Sequence, residues 1–480
     1  MTTPHPIPLP RRGDENFDKG RVFLIYPPSP VLNREDRCQQ PTEDLLVIPP
    51  LPPTDLMYLA AIAEECGFEA KIKDYSQGGD FLADLQEFNP HYLVVNVATP
   101  TFLSDMDWIK KAKDAIPSLT TIVKGAPFLT YNTNAIYENA FLDYVIVGEP
   151  EFTLRDILNG VPDNEILGIC YRENFQAAKT DKRPFIENLD LIPFPARHLV
   201  NNSIYTRPDN GKVQAVIKVA RGCPFHCFFC LATPVSGSKV RVRSAENIIA
   251  EIKECVEKYN IRNFLLWSDI FNFNREWALD LCKKIIESGL KITWSSNTRA
   301  DTMDDELAKF MYKSGCRLVS IGIESGSQEM LNHIGKKTTL DQIRNTVKIL
   351  KKNKIKIYNY FVIGLPWETE QTVKETVKFA IELDSNFISF YTATPLPGTR
   401  YFAYVIENQL AEGNLNFQNA YYAPVVRSHT LSKERIFELH KLAVKQFYLR
   451  PKFILKTLLS LRSFTEFKNY FIAGLSLLRH

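Results

Sequence analysis

The strongest constraint in this chain is a pattern that occurs twice. Short apolar, β-rich runs alternate with amphipathic helical stretches over residues 21–158 and again over residues 212–400. Near-continuous apolar runs belong to strands buried on both faces, and parallel strands require a covering crossover between them. In the first series the runs are VFLIY (22–26), EAKIKDY (69–75), YLVVNVA (92–98), LTTIVKG (119–125) and DYVIVGE (143–149). With helical stretches such as 56–66 and 105–115 between them, they predict an α/β domain with a doubly wound, Rossmann-like parallel sheet. Pro and Gly gather at its strand ends, in Pro27-Pro28, Gly125-Ala126-Pro127 and Gly148-Glu149-Pro150. Sheets of this kind hold their ligands there.

The second series comprises AVIKVA (215–220), FLLWS (264–268), KITWSS (291–296), RLVSIGI (317–323), KIYNYFVIG (356–364) and FISFYTA (387–393). Six successive β/α units predict a partial (β/α)6 TIM-like barrel, open where eight units would close. Residues 159–211, Pro-rich and charged, read as a linker. Residues 1–20 read as disordered, and residues 401–480 as a helical C-terminal extension.

With 45% apolar and 24% charged residues, the chain can bury a sizeable core, and its net charge of +3 is too small to argue for nucleic acid. The first twenty residues lack the apolar core of a signal peptide, and no apolar run reaches the ~20 residues of a membrane span. Six of the nine cysteines are scattered, so reduced thiols and a cytoplasmic location are expected. The last stretch, KFILKTLLSLRSFTEFKNYFIAGLSLLRH (452–480), is basic as well as apolar. Packing on the barrel and peripheral membrane contact are both open to such a segment.

The remaining three cysteines carry the chemistry. Arg221-Gly-Cys-Pro-Phe-His-Cys-Phe-Phe-Cys230 sets Cys223, Cys227 and Cys230 at C-x-x-x-C-x-x-C spacing directly after the first strand of the second series. Three thiolates in one short loop can wrap a cuboidal iron–sulfur cluster and leave one iron open, where four would satisfy every iron. An open metal position marks a reacting site, and barrel enzymes keep such sites at this strand end. Zinc is the alternative, but apart from His226 inside the loop no further Cys or His stands at zinc-finger spacing.

In this context the segment resembles the radical S-adenosylmethionine (radical SAM) superfamily, and the resemblance continues down the chain. Gly322-Ile-Glu-Ser-Gly326 looks like that family's fourth-strand segment, which implies that Glu324 and Ser325 face S-adenosylmethionine. Gly364-Leu-Pro-Trp-Glu368 is similar to its fifth-strand segment, implying adenine support around Gly364 and Pro366. Trp294-Ser-Ser-Asn-Thr-Arg299 is similar to its third, implying ribose and carboxylate contacts from Ser296 and Arg299, with Phe229 against the adenine and Asp269 as a further contact. The resemblance also implies a 4Fe-4S cluster on Cys223, Cys227 and Cys230, which cleaves the sulfonium to methionine and a 5′-deoxyadenosyl radical. A one-electron donor such as flavodoxin or ferredoxin would then be a partner. No residue is singled out as an acid–base catalyst; His333, His429 and His440 read as surface or helix residues.

The first domain is similar to the cobalamin-binding subclass of that superfamily, through Tyr26-Pro-Pro-Ser-Pro30, the stretch 50–61, Lys124-Gly-Ala-Pro127 and Val147-Gly-Glu-Pro-Glu151. This implies cobalamin against Pro27, Thr99, Gly125 and Gly148. The D-x-H-x-x-G motif that supplies an imidazole to cobalt in other corrinoid domains is absent after the first strand, so no such ligand is expected. The Lys-Gly-Ala-Pro segment also lacks the second Gly and the His often seen in that loop. The subclass implies cobalamin-dependent methyl transfer to an unactivated carbon. Its alternative is cyclisation or another carbon-skeleton change on a lipid, tetrapyrrole or natural product. The substrate belongs between the domains, with Tyr421 and Tyr422 as a possible wall. A methylthiotransferase would need a second cluster, for which Cys38, Cys66 and Cys170 are too scattered; a non-catalytic cofactor carrier would not need adenosylmethionine contacts on several strands.

Overall fold

The structure is a computed structural model that describes residues 19–29, 32–35, 38–41, 51–207, 211–413, 415–418, 420, 423–461 and 464–479. The expectation of disorder over residues 1–20 falls outside these residues except at Lys19 and Gly20, and Tyr421 and Tyr422 also lie outside them.

The first domain runs β1 (Arg21–Tyr26), the hairpin β2 (Leu32–Glu35) and β3 (Cys38–Pro41), α1 (Thr54–Glu65), β4 (Glu69–Asp74), α2 (Phe81–Phe88), β5 (Tyr92–Asn96) and α3 (Phe102–Ala115). It continues through β6 (Thr120–Lys124), α4 (Thr133–Glu138), β7 (Tyr144–Ile146), α5 (Glu151–Leu158), β8 (Ile169–Glu173) and β9 (Gln176–Lys179). The strand order is β4-β1-β5-β6-β7-β8-β9, parallel through β7. The all-apolar run of β1 explains the double winding. Val22 and Leu24 pack on one side with Leu56, Leu59 and Ala63 of α1, while Phe23 and Ile25 pack on the other with Phe81, Leu85 and Ile109 of α2 and α3.

One boundary differs from the sequence reading. The stretch 159–211 is not a free connector. It contains β8 and β9, which add two antiparallel strands at the edge of the sheet, and it then wraps α1. Tyr58 packs against Ile186, Leu189 and Ile192, and the Ala196 amide donates to the Met57 carbonyl at 3.0 Å. This cover explains why α1 is buried on nearly all sides.

The second domain runs β10 (Gln214–Lys218), β11 (Ala220–Arg221), α6 (Ala232–Ser236), β12 (Arg241–Val242), α7 (Ala245–Tyr259), β13 (Asn263–Trp267), α8 (Arg275–Glu287), β14 (Thr293–Thr298) and α9 (Asp305–Lys313). Then come β15 (Cys316–Glu324), α10 (Gln328–His333), α11 (Leu340–Lys352), β16 (Lys356–Ile363), α12 (Glu370–Leu383) and β17 (Phe387–Thr392). Six parallel strands lie in sequence order, β10-β13-β14-β15-β16-β17, as an open barrel with helices outside. Strand alternation sorts the side chains. Ala215, Ile217, Phe264, Leu266, Trp294, Ile321 and Ile357 join the core shared with the helices. Val216, Lys218, Trp267, Leu318, Tyr358 and Phe387, on alternate positions, fall on the inner face. Helices α13 (Arg400–Glu407), α14 (Lys433–Tyr448), α15 (Pro451–Ser460) and α16 (Phe464–Arg479) form the expected extension. Through Ile436, Leu439, Ala443 and Phe447, α14 joins the barrel core.

Candidate active site

The strand order β4-β1-β5 reverses direction about β1, and in such sheets a ligand crevice opens at the carboxyl ends on either side of the switch point. Pro27, Thr99, Gly125 and Gly148 each follow a parallel strand there, after β1, β5, β6 and β7. The carboxyl ends of the barrel strands face the same space. A small cleft is lined from the first domain by Tyr26, Asn33, Arg34, Leu51, Pro52, Thr54 and Asp55, and from the barrel by Val216, Lys218 and Trp267.

Buried ion pairs lock the two faces together. Asp55, at the start of α1, contacts both Lys124 at the end of β6 (3.3 Å) and Lys218 at the end of β10. Burial opposes its charge, but these two ammonium groups hold its carboxyl below the ordinary range. Arg221 reaches Glu149 at 3.1 Å and also Glu151, while Arg241 binds Glu149 at 2.8 Å. The hairpin loop is pinned separately. The fully buried Arg34 pairs with Asp105 (2.8 Å), donates to Ser29 Oγ (2.7 Å) and to the Asn96 carbonyl (3.1 Å), and lies over the Tyr26 ring.

The cysteine loop leaves the barrel through a collar, where β11 and β12 pair antiparallel. Gly222 adopts φ 101°, and a Cβ there would sit 2.0 Å from the Lys239 carbonyl oxygen, so only glycine fits. Its amide donates to Asp269 Oδ2 at 2.7 Å. Thr233 ties the loop from α6 by donating to the Cys223 and Phe225 carbonyls, at 3.2 and 3.1 Å. The Ala232 amide donates to Cys230 Sγ at 3.3 Å. At the apex the Phe228 amide donates to the Ile334 carbonyl, and the Phe228 ring sits among Trp367, Tyr401 and Tyr404 at 4.9–5.6 Å.

These features fit a cluster. Cys223 is buried, and Cys227 and Cys230 are half-buried. A cuboidal cluster would take these three thiolates at separate corners. Facing them are Glu324 and Lys336, paired at 2.7 Å. Burial pulls the Lys336 ammonium down, but Glu324 and Cys227 hold it above its ordinary range. Glu324 ends β15 at φ 72°, and the bare Gly322 leaves room for its carboxylate. Arg299 stacks its guanidinium 3.6 Å from the Phe225 ring centroid, pairs with Asp301 and donates to the Lys336 carbonyl at 2.8 Å.

For a corrinoid, Gly148 is the observation that fits: at φ 101°, nothing among the described residues lies within 4 Å of a Cβ position there, so that strand end offers open backbone. Gly125 has a different reason to be glycine, because a Cβ there would strike the Val97 carbonyl oxygen at 2.0 Å.

Several expected contacts are placed otherwise. Ser296 shares the outer face of β14 with Trp294, and its hydroxyl donates to the Leu266 carbonyl at 2.7 Å; Ser295 and Asn297 take the inner positions. Ser325 does not face the barrel mouth, since its fully buried hydroxyl contacts Thr376 of α12 at 3.0 Å and accepts the Ser327 amide. Phe228, not Phe229, is the loop's buried aromatic anchor, and Phe229 packs half-buried on the barrel core. The Gly364 amide is taken by Glu368, and Pro366 is buried, its carbonyl accepting the His429 amide at 2.8 Å. His333 stacks on Trp367, His429 bonds Tyr404, and His440 bonds the Phe390 carbonyl. Cys66 and Cys170 lie in cores on opposite faces of the first sheet, so they cannot share a second cluster. Sequence reasoning missed Lys218, Lys336 and Phe225. Lys218 alone left a signal, as a charge inside the apolar run AVIKVA.

Comparison with known proteins agrees with this geometry. Residues 217–380 match the Radical SAM superfamily. An uncharacterized methyltransferase of Pyrococcus horikoshii is 32% identical over 434 residues, covering 86% of this chain and 94% of the relative. An anaerobic magnesium-protoporphyrin IX monomethyl ester cyclase of Cereibacter sphaeroides is 24% identical, covering 83% of this chain and 67% of the cyclase. Among solved structures, the radical S-adenosylmethionine methyltransferase TsrM of Kitasatospora setae, with cobalamin and a [4Fe-4S] cluster bound, superposes with TM-score 0.67 at 17% identity. That match covers 90% of this chain and 89% of the other.

Proposed function

The chain belongs to the radical SAM superfamily, and on that premise we propose that it is a cobalamin-dependent methyltransferase acting on an unactivated carbon of a small molecule. The observation that carries the reading is a cleft onto which both sets of strand ends open, with Tyr26, Arg34 and Asp55 on one wall and Val216, Lys218 and Trp267 on the other. When bound, the cluster and S-adenosylmethionine supply a 5′-deoxyadenosyl radical and cobalamin supplies a methyl group.

The chain's own residues supply binding and orientation. Cys223, Cys227 and Cys230 would hold three irons, leaving the fourth to adenosylmethionine. Glu324 and Arg299, buried beside the loop, would orient that ligand's polar groups, and Asp269 keeps the loop root in place through Gly222. Pro27, Thr99, Gly125 and Gly148 would border the corrinoid. Tyr26, Val216 and Trp267 give the cleft apolar wall beside the charged Arg34, Asp55 and Lys218. A flavodoxin or ferredoxin would deliver its electron at the loop apex, where His226 is exposed.

The test is anaerobic reconstitution with hydroxocobalamin, followed by iron, sulfide and cobalt counts on the desalted protein and an assay for 5′-deoxyadenosine. Four irons, one retained cobalt and S-adenosylmethionine-dependent 5′-deoxyadenosine support the reading. Four irons without cobalt overturn its corrinoid half, and failure to hold iron overturns the whole. The cyclase relative favours a second reading, ring closure on a tetrapyrrole or similar scaffold. Product mass separates the two, because methyl transfer adds a carbon and ring closure does not.

A further inference from the structure

Half of the strongly exposed large apolar side chains among the described residues lie between Leu442 and Ile472. On α15, Ile454, Leu455, Leu458 and Leu459 form one stripe at i, i+1, i+4, i+5 spacing, and Leu455 and Leu459 are 60% and 79% exposed. On α16, Phe471 and Ile472 are 56% and 54% exposed, and Phe467 stacks on Phe471 at 6.0 Å. The opposite sides of these helices are anchored. Phe453 enters the barrel core, and Tyr470 packs on Leu318, Tyr358 and Phe387, on the inner face of the barrel toward its amino-terminal end.

We propose that α15 and the outer face of α16 form a docking surface for an anionic lipid bilayer, lying in the interface without crossing it. Among the described residues no helix is long and apolar enough to cross a membrane. Charge selects the occupant. Residues 451–480 carry five Lys or Arg against one Glu; Lys452 and Lys456 also reach Asp384, just past α12, at 3.6 and 3.2 Å, and Lys452 and Lys468 are exposed. A second copy of this chain would bring like charges together, whereas an anionic headgroup layer complements them. The surface lies at the end of the barrel opposite the cysteine loop, so a docked protein keeps the cleft facing water.

The experiment is flotation of the full chain with vesicles of phosphatidylcholine alone and of phosphatidylcholine mixed with phosphatidylglycerol, beside its elution volume in solution. Binding several-fold stronger to the anionic vesicles and weakened by salt is expected. A Leu455→Asp/Leu459→Asp variant, with unchanged circular dichroism, should lose about tenfold or more of that binding. A Lys452→Glu/Lys468→Glu variant should lose only the preference for anionic vesicles. Wild-type protein that stays with the soluble fraction, or a double-Asp variant that floats like wild type, overturns the proposal. So does a wild-type dimer that the double-Asp variant converts to monomer, since that assigns the face to a second copy.

Discussion

The carboxylate of Asp269, just past the end of β13, accepts the backbone N–H of Gly222 at 2.7 Å, and so holds the root of the cysteine loop from the neighbouring barrel strand. Removing it frees a loop that must set three thiols at once. Asp269→Ala should therefore retain at most about half the iron of wild type after reconstitution and desalting, while Asp269→Asn, which keeps an acceptor oxygen, should retain most of it. An Asn variant with full iron but no 5′-deoxyadenosine would instead assign Asp269 to adenosylmethionine.

Gly222 itself admits no side chain. In Gly222→Ala the new methyl would meet the Lys239 carbonyl oxygen at 2.0 Å in a backbone region that L-residues avoid. The collar of β11 and β12 should open, with loss of about 2–4 kcal/mol of stability and nearly all cluster iron. Thermal unfolding and iron analysis check both, and Gly148→Ala is the control. It sits at the same positive φ, with nothing among the described residues within 4 Å of its Cβ position, so it should cost about 1–2 kcal/mol and leave iron unchanged.

How much of this was legible in the sequence follows from what each signal depends on. Strands such as VFLIY and AVIKVA announce themselves because burial on both faces demands apolar residues throughout, and the barrel order follows from its β/α succession. The three cysteines stand out because their spacing is local. The inner and outer faces of β14 were not legible: Trp294, Ser295 and Ser296 read alike until Trp294, packed on Phe271 and donating to the Ser314 carbonyl just past α9, assigns Ser296 outward. Ser325 was misplaced for a similar reason, since its partner Thr376 is 51 residues away. The stretch 159–211 looked like a linker because antiparallel edge strands are short and half-polar. Its hold on α1 depends on a few apolar residues, Ile186, Leu189 and Ile192, spread among prolines and charges.

Asp55 predicts how firmly the two domains adhere. Its carboxylate contacts both Lys124 and Lys218, and both ammonium groups are largely withdrawn from water. Asp55→Asn would remove the carboxylate charge that Lys124 and Lys218 share across the cleft. A loss of about 3 kcal/mol in the unfolding free energy at pH 7 is expected, with separate transitions for the two domains appearing in calorimetry. Because the folded pKa is depressed, the wild-type advantage is present above the unfolded carboxylate pKa and fades as pH falls through the folded value. The two proteins should therefore converge only in strong acid.

Glu368 has the opposite sign. It is fully buried, accepts the amides of Gly364 and Leu365 through one oxygen, and burial pushes its pKa up from 4.5 to about 7 despite those two donors. The folded state thus prefers the protonated acid more than the unfolded chain does. Stability from this group is full below pH 4.5, declines as pH rises through about 7, and stays at its lower level above that. Glu368→Gln keeps an oxygen for the two amides and removes the titration, so its unfolding free energy should match wild type near pH 4.5 and exceed it at pH 8.5 by up to about 3 kcal/mol. Urea unfolding at the two pH values checks this. A Gln variant less stable than wild type at pH 8.5 would mean that the charged carboxylate is the form the folded protein holds, with Gly364 and Leu365 outweighing burial.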